Sequence, residues 1–318
     1  MAGPDRPPIR SARLTQTARG IALVLVLWVL ALLTVIAMGM TAAQRTETAL
    51  TENVIADARF RALAEAAIVF TVGTFLTPVV PGDVGLGSGG PPGGPDTADW
   101  VPNGAPRTWV FDGNALRITV SNEKSRINLN QATAPVLSAL LIALGVAEQE
   151  AAAIAEAIVD WRDEDDLKGL NGAEDQDYAD AGRSLGAKDA PFVAVEELQQ
   201  VLGVSRAIYQ RLAPEVTVDT QDDQVDQTFA SAAVLAALQG ITLDGAQLQV
   251  QSRDAPALPG GQGANAGNRG GPLYRIEVKE QGAAGTARAM EALVDVAIPT
   301  NPVRWRRFGL VAGPPPAG

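Results

Sequence analysis

Asp160-Trp161-Arg162-Asp163-Glu164-Asp165-Asp166 and, a few residues on, Gly172-Ala173-Glu174-Asp175-Gln176-Asp177-Tyr178 hold the densest run of carboxylates in the chain. Acids at this spacing repel one another unless a cation sits among them or water screens them, and Ca²⁺ takes six to eight oxygen ligands of this kind. Asp163, Asp165 and Glu174 fall at the first, third and last places of an EF-hand count, but Leu167 and Lys168 occupy the fifth and sixth, where a ligand and a glycine are needed. The run is therefore not an EF-hand. From the residues alone two readings stand side by side, an irregular Ca²⁺ site and a solvated acidic loop. A third, a pair of catalytic carboxylates, requires a cleft that holds two acids at a set distance with their pKa values pushed apart, and a dense acidic loop does not supply one.

What the chain lacks narrows the chemistry further. It has no His and no Cys among 318 residues, which removes Ser-His and Cys-His nucleophiles, His- or Cys-ligated metals and disulfides. A net charge of −11 opposes a general affinity for polyanions.

The elements around the acidic run read as helices. Val136, Leu137, Leu140, Leu141 and Leu144 form an apolar stripe, with Asn130 or Thr133 as its cap, and Leu144-Gly145-Val146 turns into a second helix over about 147–161 with Ala151, Ile154, Ala155 and Ile158 inward. The same order returns at 195–202, Leu202-Gly203-Val204 and 205–212, so both copies read as helix-hairpin-helix units. Strand signals flank this block. Residues 108–111 and 116–121 surround Asp112-Gly113-Asn114 as a hairpin, alternation at Tyr274, Ile276 and Val278 and again at Met290, Ala292, Val294 and Val296 gives two more strands, and 304–308 adds an edge. A short Ala-rich helix is expected over 229–239 and a strand over 247–252. Gly/Pro-rich tracts at 78–106 and 255–272 read as loops.

At the other end, Arg6, Arg10, Arg13 and Arg19 precede an uncharged run from Ile21 to Ala43, long enough at about 1.5 Å per residue to cross a hydrocarbon core of about 30 Å. The basic leader keeps the first 20 residues in the cytoplasm and sends the rest across. These residues alone fit an uncleaved signal anchor as well as a leader cut on the cytoplasmic face. After the run, 44–75 stays helix-like, with Leu50, Val54, Ala58 and Leu63 near the helical period and Phe60 interrupting the polar face.

Gly20-Ile21 ahead of a long apolar helix resembles the type IV prepilin leader shared by pilins and pseudopilins. That resemblance implies cleavage between Gly20 and Ile21 by a prepilin peptidase and N-methylation of Ile21. Most members of the family carry Glu where this chain has Leu25. In these filaments that Glu is thought to pair with the N-terminal amine of the subunit above, so a subunit with Leu25 has no such reason to join beneath another and fits the tip. The order Ile127-Asn128-Leu129-Asn130, then Asp160 to Asp165, Gly172 to Asp175 and Val195-Glu196-Glu197-Leu198 resembles the general secretion pathway protein K family, the large minor pseudopilins of type II secretion, over nearly the whole chain.

The resemblance implies an α+β fold: a long N-terminal transmembrane and pilin helix, and a pilin-like antiparallel sheet interrupted by a large all-α insert with helix-hairpin-helix-like units. The organisation expected is a leader at 1–20, helix at 21–77, Gly/Pro loop and first sheet portion at 78–126, helical insert at 127–218, second sheet portion at 219–312 and a disordered tail at 313–318. It also implies calcium at Asp163, Asp165, Glu174, Asp175 and Asp177, with Asp160 and Asp166 as further acids. Expected partners are the other minor pseudopilins, the major pseudopilin, the prepilin peptidase and inner-membrane lipid; the head is expected in the periplasm, with no catalysis and no nucleic acid. The competing picture is a membrane-anchored, competence-like nucleic-acid receptor. Against it, Glu148-Gln149-Glu150 follows the first hairpin turn and only Arg206 and Arg211 lie near the second, where phosphate binding needs clustered cations.

Overall fold

In the computed structural model of the chain, the described residues are 18–76, 100–255, 269–280 and 286–312. Most of the expected leader, the glycine-rich centre of the first loop, most of the second loop, the turn at 282–285 and the tail at 313–318 lie outside them. The first helix, α1 (Ala18–Leu76), runs through the Gly20-Ile21 pair. Residues 1–59 form one compact unit and 60–318 another.

In the first unit, Ala22–Met40 is an uncharged stretch long and apolar enough to cross a membrane, none of it buried by protein. Leu25 lies on the exposed surface of that stretch. The one hydroxyl in its second half, on Thr34, donates to the backbone carbonyls of Leu30 (3.0 Å) and Ala31 (2.7 Å), so no side-chain donor is left unsatisfied there. Leu50 and Val54, which recur near the helical period, are exposed.

The second unit begins where the helix acquires a buried face. Phe60, Ala64, Ala67, Ile68, Val72 and Phe75 repeat at helical spacing, and all are buried with Trp109, Leu116, Ile118, Val120, Ile276, Val278, Met290, Ala292 and Val294 in one core. Phe60, an interruption in the polar pattern, is thus the first core residue of this helix face. The sheet beneath it has five antiparallel strands in the order β1 (Asn103–Phe111), β2 (Asn114–Asn122), β5 (Leu273–Glu280), β6 (Thr286–Asp295) and β7 (Val303–Ala312). Strands β2 and β5 are neighbours in space although about 150 residues separate them, with Ile118 opposite Val278. The chain leaves the sheet after β2, builds a helical block, and returns at β5.

The stem of that block is a two-residue parallel ladder, β3 (Ile127–Asn128) on β4 (Val216–Thr217). Helices α2 (Ala134–Ala143), α3 (Glu148–Arg162), α4 (Asp175–Asp180) and α5 (Arg206–Leu212) follow, around a core of Leu137, Leu140, Leu141, Ile154, Ile158, Leu198 and Leu212. Two differences from the sequence pattern stand out. Residues 195–199 form a 3-10 turn, not a full helix, and residues 247–252 lie in α7 (Leu243–Asp254), not in a strand. The apparent alternation there misled because only Ala246 of α7 is buried, so its side chains carry little pattern. Helix α6 (Ala232–Gln239) packs on α2, and Ala233, Val234, Leu235 and Ala246 join the same core, so the helical block continues beyond residue 218 to α7.

Candidate functional site

The Ile127–Asn130 segment explains how the acidic loops are held. Asn128 accepts the Asn130 N–H (2.7 Å) and donates to the Thr220 carbonyl (2.7 Å), while Asn130 pairs both ways with the Phe192 backbone (2.8 and 2.9 Å). Arg162, the last residue of α3, donates to the carbonyls of Leu129 and Ala132. The end of α3 and the far limb of the acidic loop at Phe192 are thereby tied to one short segment. Beneath them, Trp161 packs on Tyr178 and Phe192, with ring centroids 5.8 and 6.3 Å apart. Trp161 and Tyr178 are buried.

The carboxylates sort into those already engaged and those left over. Asp160, buried at the end of α3, accepts the N–H groups of Ala173 (2.8 Å) and Gly169 (3.2 Å), and Glu156 accepts that of Asn171. Gly172 lies so close to Asp160 that an added Cβ would overlap its carboxylate, and Gly186 stands in the same relation to Asp175. Asp177 is fully used, accepting the Glu174 N–H (3.0 Å) on one oxygen and pairing with Lys168 through the other. Asp165 accepts the Leu167 N–H (2.9 Å).

Asp163 Oδ1, Glu174 Oε1 and Asp189 Oδ1, by contrast, are buried oxygens with no hydrogen-bond donor. Burial of a carboxylate without a donor or a cation is strongly unfavourable. The charges around them overlap. Burial, then the charges of Asp160, Asp163, Asp189 and Asp166, pushes the Glu174 carboxyl up to about 7. Burial and the charges of Asp160, Asp165 and Asp189 raise Asp163, and burial with Asp175 and Asp166 raises Asp189.

Among the described residues no group of three or more acidic side chains is gathered closely enough to hold a metal ion as placed, as expected of like charges with nothing to draw them together. The donor-free oxygens nevertheless suit a hard cation that takes oxygen ligands. Of the expected acids, Asp163 and Glu174 belong to this group, Asp165 and Asp175 border it, and Asp177 serves to cap α4. Asp189 was not among the expected residues. It lies outside the dense run and has a positive φ of 52°, so no sequence spacing pointed to it.

The site is linked to the second hairpin. The Tyr178 hydroxyl, on α4, accepts the Leu202 N–H (3.1 Å) at the Leu202-Gly203 turn, where Gly203 has φ 85°. Tyr178→Phe leaves that partly buried N–H without its acceptor and is expected to lower stability by about 1 kcal/mol, measured by denaturant unfolding of the full chain. Arg211 donates to the Leu144 carbonyl at the turn of the first hairpin, so one of the two arginines near the hairpins already has an internal partner.

Comparison with known proteins places residues 111–220 on the family model described as type II secretion system (T2SS), protein K. Among curated relatives named type II secretion system protein K, that of Pseudomonas aeruginosa is 31% identical over 40% of this chain and 41% of its own length. That of Dickeya chrysanthemi is 35% identical over 38% and 34%, and that of Klebsiella pneumoniae 29% identical over 74% and 76%. The chain thus spans well under half the length of the first two. A crystal structure of the GspK-GspI-GspJ complex from the enterotoxigenic Escherichia coli type 2 secretion system aligns with a TM-score of 0.45 at 21% identity, covering 64% of this chain and 83% of that one.

Proposed function

We propose that the chain, whose residues 111–220 match the family model of type II secretion system protein K, is the minor pseudopilin at the pseudopilus tip, where it starts filament assembly with the other minor pseudopilins. The observation that carries the tip position is Leu25. It lies within an uncharged apolar stretch, where an acid would need a cationic partner, and a leucine there cannot recruit the amine of a subunit above. The helical block adds to this, because a bulky insert on the sheet domain hinders stacking of a further subunit.

In this reading a prepilin peptidase cuts between Gly20 and Ile21, Ile21 is methylated, Ala22–Met40 spans the inner membrane once, and the head stands in the periplasm. The major pseudopilin extends the filament below, and the protein acts through packing and insertion without catalysis. Calcium would be held by Asp163, Glu174 and Asp189, with Asp165 and Asp175 beside them. It would supply the positive charge that these buried oxygens lack and would join the end of α3, the start of α4 and the loop before Phe192.

Labelling electron microscopy of assembled pseudopili tests the position. One copy at a single end of each filament is expected, and copies spread along the shaft would refute the tip assignment. Mass spectrometry from cells with active peptidase is expected to show a chain beginning at methylated Ile21. An intact Met1 leader removes the processing step.

A further inference from the structure

Within residues 60–318, the four most exposed large apolar side chains among the described residues are Leu170 (92%), Val193 (80%), Leu167 (78%) and Leu185 (74%). All four lie on the two segments that border the acidic site. A single exposed leucine needs no explanation, but the coincidence of the four extremes on two short loops does. The loops meet at the first turn of α4. Lys168, between Leu167 and Leu170, pairs with Asp177, and Gly186, next to Leu185, lies against Asp175. Val193 follows Phe192, whose ring faces Trp161 beneath the same turn. On these loops Asp163, Glu174 and Asp189 each turn a carboxylate oxygen inward while the four aliphatic side chains point outward.

We propose that Leu167, Leu170, Leu185 and Val193 form a docking surface for a polypeptide segment rich in aliphatic and basic residues, and that the cation held between the loops keeps the surface in place. The second clause rests on the calcium reading above. Charge selects the occupant. Residues 163–189 contain nine carboxylates and three cationic side chains, so one Ca²⁺ still leaves the surface negative. Exposed Glu164, Asp166 and Asp180 stand along these loops to meet Lys or Arg, while the four aliphatic side chains bury the partner's apolar ones. The same surplus of negative charge repels an anionic lipid surface.

The test uses the full chain in phosphatidylcholine nanodiscs, with empty nanodiscs subtracted. The probes are a fluorescent amphipathic peptide of Leu and Lys and a peptide of the same charge with Ser in place of Leu. With Ca²⁺ the Leu/Lys peptide is expected to bind about tenfold or more tightly than the Ser/Lys peptide. EGTA is expected to abolish the preference. The L170S/V193S double variant, which changes no charge, is expected to lose the preference while its calorimetric Ca²⁺ binding is unchanged. Equal binding of the two peptides, indifference to L170S/V193S, or Ca²⁺-dependent binding of phosphatidylglycerol vesicles without Leu/Lys preference overturns the docking surface. If Ca²⁺ heat is present in those cases, the metal site survives that failure. Absence of Ca²⁺ heat, with peptide binding identical in EGTA, overturns the gating through its premise.

Discussion

Stripped of divalent cations, the full chain is expected to melt at lower temperature as pH rises from about 5 to about 8, and Ca²⁺ is expected to reverse that trend. The sign follows from Glu174. Its folded carboxyl is pushed up to about 7 from an ordinary 4.5, first by burial and then by neighbouring acids. Between those values the folded chain holds a proton that the unfolded chain has released, so the stabilisation present below about 4.5 is lost as pH rises through 7. A displacement of this size corresponds to about 3 kcal/mol, and the raised carboxyls of Asp163 and Asp189 act in the same direction. Calcium competes with the proton on Glu174, so its affinity falls as the site protonates. At a hundredfold excess over Kd it adds about 2.7 kcal/mol, or about 5–10 °C for a unit of this size, and the gain is expected to be larger at pH 8 than at pH 5.5. Scanning calorimetry checks both. Glu174→Gln is expected to flatten the pH dependence and reduce the Ca²⁺ response. A melting temperature that ignores pH and Ca²⁺ alike would show that the acids are simply solvated.

How much of this was legible in the sequence depended on whether the pattern was local. The split sheet could be read because Tyr274, Ile276 and Val278 alternate with charges, and β2 carries Leu116, Ile118 and Val120 on the face that meets them. The turn between α2 and α3 was legible through Leu144-Gly145-Val146, whereas at the second Leu-Gly-Val turn the expected leading helix is only a 3-10 turn. Helix α7 was not, because it buries only Ala246, and the packing of α6 and α7 onto α2 is a tertiary event with no local signature. At the acidic site, spacing identified the run but did not separate acids that cap, such as Asp177, from acids left donor-free, such as Asp163 and Glu174. That separation depends on which backbone N–H groups the folded loops bring near. Asp189 was invisible for the same reason, and so was Glu123, a buried acid whose hydrogen-bond partners Arg275 and Thr217 lie far away in sequence.

Glu123 makes the most consequential of those long-range contacts, and removing its partner Arg275 is expected to lower stability by about 3–5 kcal/mol. Glu123 is fully buried in the turn after β2, where the chain leaves the sheet. Arg275 on β5 reaches it from Nε at 2.8 Å and through Nη2, extends to Asp219 at 3.1 Å and Glu291 at 2.9 Å, and lies over the Trp305 ring at 5.3 Å. Thr217 donates its hydroxyl to the same Glu123 carboxylate. Burial raises the Glu123 pKa, but the hydrogen bonds and charge of Arg275 and the charge of Arg126 outweigh it and hold the group below its ordinary value. That stabilisation is present above about 4.5 and is lost as pH falls further, which sets the acid limb of the melting profile. Because Glu123 lies before β3 and Thr217 and Asp219 lie at and after β4, this one guanidinium fastens both limbs of the stem to the sheet. Arg275→Met would leave a buried carboxylate without its main counter-charge, with melting lowered by about 10 °C. The double variant Arg275→Met with Glu123→Gln is expected to recover at least half of the loss, since it removes the stranded charge as well. The proposed metal site shares none of these side chains, so the Ca²⁺ response of Arg275→Met is expected to persist while proteases gain access at the stem. Melting of the single variant within about 2 °C of the parent would show that the stem is held by β3, β4 and apolar packing instead.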